Sequence, residues 1–495
     1  MLPKSRKASL IMNLHTFAYG LVFIVCGILA EVELCEGSQK DEVAVEIREG
    51  NSHIFPFHQG IATFEVTDTS ATVWARIEGP AQVEVHLFEE TSPSETTLHG
   101  IYLMPILPNQ DHIGKFHISG LQPLTTYSYQ IKPELSAMFS NEKSQQSLTT
   151  GRFRTAPAPE DSHPITFIWS GDLGGQGHCR KPGKGYELFE RMRDTKPDFT
   201  LFVGDTIYAD GKCASPPNFS GYDFIAETLP QYRAKHRYQR EDQYLQRFLA
   251  EIPLYAIWDD HEVRNDFSGP SHEQMPLGRQ AFQEYWLGLP FSDDPHRLYR
   301  SVKHGADLEV FILDTRQYRS PNTQQDGKDK TMLGKAQREW LLAGIQASQA
   351  TWKVIVSSVP LSILKGSWIR PAMDSWAKGT RGTGFHYERN LIVNLILSKP
   401  VSNVVWLTSD VHFAQVVAYD PNHDGKTDFH EMVAGPISAN ARTPMKLDST
   451  LNPKILYEDG EFFNFGLVNV QGSILSVQFL DHVGRIRFQH EFRAN

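Results

Sequence analysis

Cysteine is scarce in this chain: four residues in 495, at positions 26, 35, 179 and 213. No two of them form a Cys-x-x-Cys pair, which argues against a structural zinc site. Positive charge is not in excess either. Lys and Arg number 48 against 58 Asp and Glu, for a formal charge of -10. That balance gives no basic face for duplex nucleic acid. It does not exclude phosphate substrates, because bound cations reverse the local sign of an acidic site. Internal repeats and low-complexity tracts are absent, and beyond residue 30 no run is apolar and long enough to span a membrane.

The apolar run that does exist lies at the start. Lys4, Arg6 and Lys7 precede FAYGLVFIVCGILA, from Phe17 to Ala30. A basic start followed by an apolar stretch of this length reads as a secretory signal peptide. Residues 1–37 are then signal and short leader, and the mature chain is secreted or periplasmic with no stable membrane span. An uncleaved anchor is the other reading of the same run. In an oxidising compartment Cys179 and Cys213 are expected to pair; two unpaired thiols are the alternative.

Residues 44–155 read as all-β. Alternation is clear in ATVWARIEG (Ala71 to Gly79) and AQVEVHLFEE (Ala81 to Glu90), and turn residues interrupt the runs at regular intervals. Tyr127 and Tyr129 follow a turn in GLQPLTTYSYQI, the placement of a tyrosine corner in immunoglobulin-like sandwiches. A carbohydrate- or wall-binding module is the functional alternative for this segment. A Pro-rich link, TAPAPEDSHP, closes it, and residues 163–495 follow a different grammar. ITFIWSG, the helical stretch GYELFERMRD and DFTLFVG read as strand, helix, strand, hence a mostly parallel sheet. One helix is expected from about Leu229 to Ala250, and further strands in LYAIWD, LEVFILD, WKVIVSS and NVVWLTSD. The alternating C-terminal stretch is expected to close the domain with antiparallel strands.

Several of these strands end in acidic or metal-capable residues: Asp172 after the first, Asp205 and Tyr208 after the second, Asp259 to Glu262 after the third, Asp410 and His412 after the last. In α/β sheets ligands collect at the carboxyl ends of strands. A lone Asp there is ordinarily a turn former or a helix cap. Repetition in one domain argues for convergence, and converging carboxylates repel unless cations lie between them. Carboxylate, imidazole and phenolate ligands suit iron, manganese, calcium or zinc. Two such ions are a standard device for phosphoryl transfer. Arg316 and Arg319 are read as structural partners of a buried Asp314 rather than as phosphate ligands. Tyr232, Arg233 and His236 read as either substrate-facing or packing residues.

The strings SGDLGG, LFVGDTIYADG, WDDHEVRND, FILDTRQYRS and VVWLTSDVH, in this order, resemble the motif series of the alkaline phosphatase D (PhoD-like) family of calcineurin-like metallophosphoesterases. The resemblance covers nearly the whole mature chain. It implies an α/β two-sheet sandwich flanked by helices, preceded by an all-β immunoglobulin/fibronectin-like domain. It also implies metal-dependent hydrolysis of phosphomonoesters or phosphodiesters by an activated hydroxide, on a small-molecule or polymer substrate. By the same resemblance the metal ligands are Asp172, Asp205 (bridging), Tyr208, Asp260, Asp410 and His412. His261 is the implied proton donor, and iron and calcium are the implied metals. Relatives of the best-known type have Cys where Asp172 stands, so thiolate ligation is not expected here. A strict phosphodiesterase, and a binding protein with an inactive metal domain, are the alternatives.

Overall fold

The computed structural model describes residues 57–79, 81–92, 95–133, 149–175, 179–180, 184–212, 223–365, 373–379, 381–398 and 401–494. The expected signal and leader, and Cys213, lie outside the described residues. Cys179 is disulfide-bonded. Among the described residues no helix is long and apolar enough to cross a membrane. Residues Pro56–Asn495 form one compact unit.

The described chain opens with β1 (Ile61–Phe64), β2 (Ser70–Arg76), β3 (Gln82–Ser92), β4 (Glu95–Pro105), β5 (Ile113–Ser119), β6 (Thr126–Pro133) and β7 (Thr149–Arg154). β1, β2 and β5 pair antiparallel as one layer, and β4-β3-β6-β7 form the other. This is the expected all-β arrangement. Tyr127 makes the corner: its hydroxyl accepts the backbone N–H of Gln122 at 3.0 Å. β3 alternates buried and half-exposed residues as read, whereas β2 is buried on both faces. The cause is that β1 continues into the next region. Phe64 pairs in parallel with Leu254, so one face of this layer belongs to a second core. Ala71, Val73 and Ala75 pack into the sandwich, and Trp74 packs the other way.

The remaining elements are β8 (Ile165–Ser170), α1 (Leu188–Asp194), β9 (Phe199–Val203), α2 (Leu229–Arg240), α3 (Gln243–Glu251), β10 (Leu254–Ile257), α4 (Met275–Trp286), β11 (Arg300–His304), β12 (Leu308–Ile312), α5 (Gly334–Ala347), β13 (Trp352–Val356), α6 (His386–Leu397), β14 (Val404–Thr408), β15 (Ala414–Tyr419), β16 (Phe429–Val433), β17 (Pro453–Asp459), β18 (Asn464–Gln471), β19 (Ile474–Asp481) and β20 (Ile486–Arg493). Two large sheets result, ordered β20-β19-β18-β8-β9-β10-β1-β2-β5 and β11-β12-β13-β14-β16-β15-β17. One apolar core joins them: Phe167, Leu201 and Ala256 from the first meet Val310, Val354 and Val405 from the second. The outer face of the second sheet is covered by α5 and α6 through Leu341 and Ile392.

The fold is therefore the two-layer α/β sandwich implied by resemblance. The central strands β8, β9 and β10 run parallel, as do β12, β13, β14 and β16. The antiparallel meander β18–β20 closes one sheet against β8. The single helix expected over 229–250 is two. Asp242 breaks it by accepting the N–H groups of Tyr244 and Leu245, each at 3.0 Å, as N-cap of α3.

Candidate metal centre

The strand ends β8, β9, β10 and β14 open at one mouth between the two sheets. Each apolar strand runs straight into a turn whose backbone ordinary residues avoid. Asp172, Asp205, Asp410 and His412 all have positive φ, at 63°, 55°, 74° and 64°. Left-handed backbone at non-glycine positions is uncommon, and it is characteristic of turns that aim side chains at a functional site. Gly204, at φ 84°, precedes Asp205 because a Cβ there would lie 2.5 Å from that of Asp259. The β9 and β10 ends can thus approach closely.

One group of ligand atoms, from Asp172, Asp205 and His412, lies within 4.8 Å of one another. His412 donates from Nδ1 to the carbonyl of Asn440 at 2.6 Å, which leaves the Nε2 lone pair facing the group. Burial, reinforced by the charge of Arg442, pulls this imidazole down to about 3, so it is neutral. The Tyr208 hydroxyl stands 3.2 Å from that Nε2. Burial lifts Asp172 to about 7, and burial together with Asp260 and Asp259 lifts Asp205 well above the carboxylate range. Asp172 Oδ1, Asp205 Oδ2 and Asp260 Oδ1 are buried and accept no hydrogen bond from the described residues. Buried carboxylate oxygens are normally satisfied. Converging, unsatisfied oxygens beside a neutral imidazole are what a hard or borderline cation needs, so the donor set fits a metal.

Asp205, Asp260 and His261 form a second such group, and Asp259, Asp260 and Asp410 a third. His261 is only 8% exposed. Its ring lies 4.2 Å from that of Tyr208, and its Nδ1 donates to Asp210 Oδ1 at 2.7 Å. Burial lowers this imidazole's affinity for a proton, but Asp260 and Asp210 outweigh it and hold His261 at about 9. Burial would raise Asp260; Arg316, His261 and Lys365 instead take it down to about 2. Glu262 ties the mouth together by accepting the N–H groups of Thr206 at 2.6 Å and Asp259 at 2.9 Å.

All seven residues expected from the sequence, Asp172, Asp205, Tyr208, Asp260, His261, Asp410 and His412, therefore meet at this mouth. Four neighbours were not anticipated: Asp210, Lys365, Asp374 and Ser409. Asp374 accepts both terminal nitrogens of Arg316, at 2.8 and 3.0 Å, and is also bonded by Arg319. Arg316 further donates to Asp259 at 2.6 Å. The two arginines are structural, as read, but their partner is not the Asp314 side chain as an ion pair. Asp314 Oδ1 accepts the Trp258 indole and the backbone N–H groups of Arg316 and Gln317. Of the open cases, Arg233 is held by Glu284 at 2.6 and 2.7 Å. His236 accepts the Trp286 indole N–H, so both pack rather than face the mouth.

The fold recurs in a protein of known structure. A solved structure of PhoD superposes with a TM-score of 0.71, covering 90% of this chain and 94% of that one at 22% identity. The alkaline phosphatase D of Bacillus subtilis (strain 168) is 29% identical over 410 residues, 73% of this chain. The alignment spans 65% of that relative's length, just under two thirds. The N-terminal domain of PhoD-like phosphatases matches residues 43–157. The PhoD-like phosphatase family itself matches residues 168–478, from within β8 through most of β19 and so across every strand end that builds the mouth; the chain belongs to that family.

Proposed function

We propose that this chain hydrolyses phosphate esters, monoesters or diesters, at a two-cation centre, and that it acts outside the cytoplasm as a secreted or periplasmic enzyme. The observation that supports this most directly is the set of buried, unsatisfied oxygens of Asp172, Asp205 and Asp260 at one mouth. Asp172, Asp205, Tyr208 and His412 would hold one cation, and Asp205, Asp260 and Asp410 would hold the other. Family resemblance favours iron at the first and calcium at the second. Bound there, the pair supplies Lewis acidity that makes water nucleophilic at neutral pH and offsets the charge on phosphate oxygens.

The chain's own groups orient and protonate. His261 has Nδ1 committed to Asp210, so Nε2 is the nitrogen that can deliver a proton to the departing alkoxide. The Tyr208 ring packed on His261 limits the tilt of the imidazole. The His412–Asn440 bond keeps the other imidazole in the tautomer that accepts rather than donates at the site. Residues 44–155 serve as the β-sandwich domain and 163–495 as the catalytic domain, and the substrate is a small-molecule or polymer phosphate ester, not duplex nucleic acid.

The test pairs elemental analysis of the purified protein with a panel of phosphomonoesters and phosphodiesters. Metal bound in stoichiometric amount with turnover of at least one ester class is expected. Metal-free protein with full turnover would reject the mechanism, and metal-loaded protein inert on every ester would reject the activity.

A further inference from the structure

Lys365 is the one ammonium among the described residues that is bonded to Asp410. Its Nζ donates to both Asp410 oxygens, at 2.7 and 2.6 Å, and to Asp374 Oδ2 at 2.9 Å. The chain is anchored just before it: Leu364 N–H donates to Lys446 O at 3.1 Å, and Ile363 bridges Leu447. The two carboxylates it joins differ in what else they have. Asp374 keeps the guanidinium groups of Arg316 and Arg319 without it. Asp410 lies in one ligand group with Asp259 and Asp260, and among the described residues Lys365 is its only charged hydrogen-bonding partner.

We propose that Lys365 competes with the second cation for Asp410 and thereby weakens that position relative to the first. The inference rests on the two-cation reading given above. A divalent ion and an ammonium cannot both take the same two oxygens, so loading the second position requires Lys365 to leave Asp410. The ammonium has somewhere to stay, because Asp374 is within its reach already. Asp172, Asp205, Tyr208 and His412 make no bond to Lys365, so the first position is free of this competition. Lys365 is a positioning residue: it acts through Asp410.

The experiment is equilibrium dialysis of the metal-stripped full chain against buffered Mn2+, with bound metal counted by mass spectrometry. The wild type is expected to show a tighter and a weaker class of site. Lys365→Met should tighten the weaker class by about tenfold or more, the scale of a lost charge-assisted hydrogen bond, and leave the tighter class unchanged. Lys365→Gln, which keeps a donor but no charge, guards against a packing defect in the Met variant and should move the same way. Repeating Lys365→Met in an Asp410→Asn background separates contact from long-range repulsion. No gain there, or no weaker class with or without Lys365, supports competition for Asp410. An equal gain there overturns it, as do superimposable isotherms for wild type and both Lys365 variants. If no form binds Mn2+, the two-cation reading itself falls, and the inference with it.

Discussion

Two sets of buried carboxylates face each other across this mouth, and they are balanced in opposite ways. Asp374 is neutralised from within by Arg316, Arg319 and Lys365, and these hold its carboxyl well below the ordinary range despite burial. Among the described residues, no Lys or Arg is hydrogen-bonded to Asp172 or Asp205. Asp172 accepts a Ser409 hydroxyl at 3.0 Å, and Asp205 Oδ1 the backbone N–H of His261 at 3.2 Å. Burying a carboxylate is costly unless its charge is compensated. One side is compensated by the chain itself, so its acids are structural. The other lacks such compensation among the described residues, and that is the side to which the proposed cation positions are assigned. Residue type does not separate the two sets; partners do.

The sharpest way to break this contrast is to remove the external charge. Exhaustive chelation should abolish turnover, since among the described residues no nucleophilic side chain stands ready to replace activated water, and re-addition of metal should restore it. Asp205→Asn should lose more metal and more turnover than Asp172→Asn, because Asp205 belongs to two of the ligand groups and Asp172 to one. Full activity with confirmed metal loss would refute the scheme. Equal metal retention in the two variants would show that Asp205 does not bridge.

Next in size is His261. An alkoxide needs a proton to leave, whereas a nitrophenolate does not. His261→Ala should therefore cost alkyl phosphates roughly 10² to 10⁴-fold, the usual range for general acid catalysis, and nitrophenyl phosphate far less. Metal content should be preserved. A uniform loss on both substrates that follows metal occupancy would place His261 among the groups that merely hold Asp260 and Asp210.

What was legible in the sequence follows the same division. Asp172, Asp205, Asp260, Asp410 and His412 could be found because each follows the end of an apolar strand, and the strand ends of the two facing sheets open at one mouth. Asp210 and Asp374 could not, because their roles arise from contacts between distant loops. Arg316 meets Asp259 because the end of β12 lies opposite the end of β10, in the other sheet, and Asp374 reaches the same guanidinium from the loop between β13 and α6. Arg316 was assigned to its neighbour Asp314 for want of that juxtaposition; the Trp258 indole occupies the oxygen in question. The break at Asp242 was signalled by an N-cap residue inside a helical pattern. The two-faced burial of β2 had no local signal, since its second face is covered only because β1 joins β10.

The third effect is on stability, and its sign differs between the two sets. Arg316→Met takes one of three cations from Asp374 and leaves the buried Asp259 with the Ser358 hydroxyl but without its guanidinium, and should destabilise the fold by about 3 to 5 kcal/mol. Asp205→Asn removes a buried carboxylate that like charges and burial already disfavour. In metal-free protein it should therefore stabilise. Urea unfolding of both variants in chelator measures this. A destabilised Asp205→Asn under those conditions would mean that Asp205 is compensated within the chain, and the contrast would be lost.

The smallest expected effect concerns Asp210, which is hydrogen-bonded to the site through His261. Its Oδ1 takes the Nδ1 proton and its Oδ2 the backbone N–H of Asn265 at 2.8 Å. Asp210→Asn preserves an acceptor for the imidazole but removes the charge. The loss in turnover should be modest, on the order of tenfold, as for other partners that orient a functional group. The pH profile carries the sharper signal. Asp210 is among the groups that hold the His261 proton more tightly than burial alone would allow. Without that charge the proton is lost at lower pH. If protonated His261 is the acid, the alkaline limb of the rate profile must move toward neutrality in Asp210→Asn, with metal loaded in both proteins. The acidic limb, set by groups that Asp210 does not touch, should stay where it is. An alkaline limb that stays in place while turnover falls would mean that Asp210 orients the imidazole without charging it. A limb that moves the other way would mean that the titrating group is not His261.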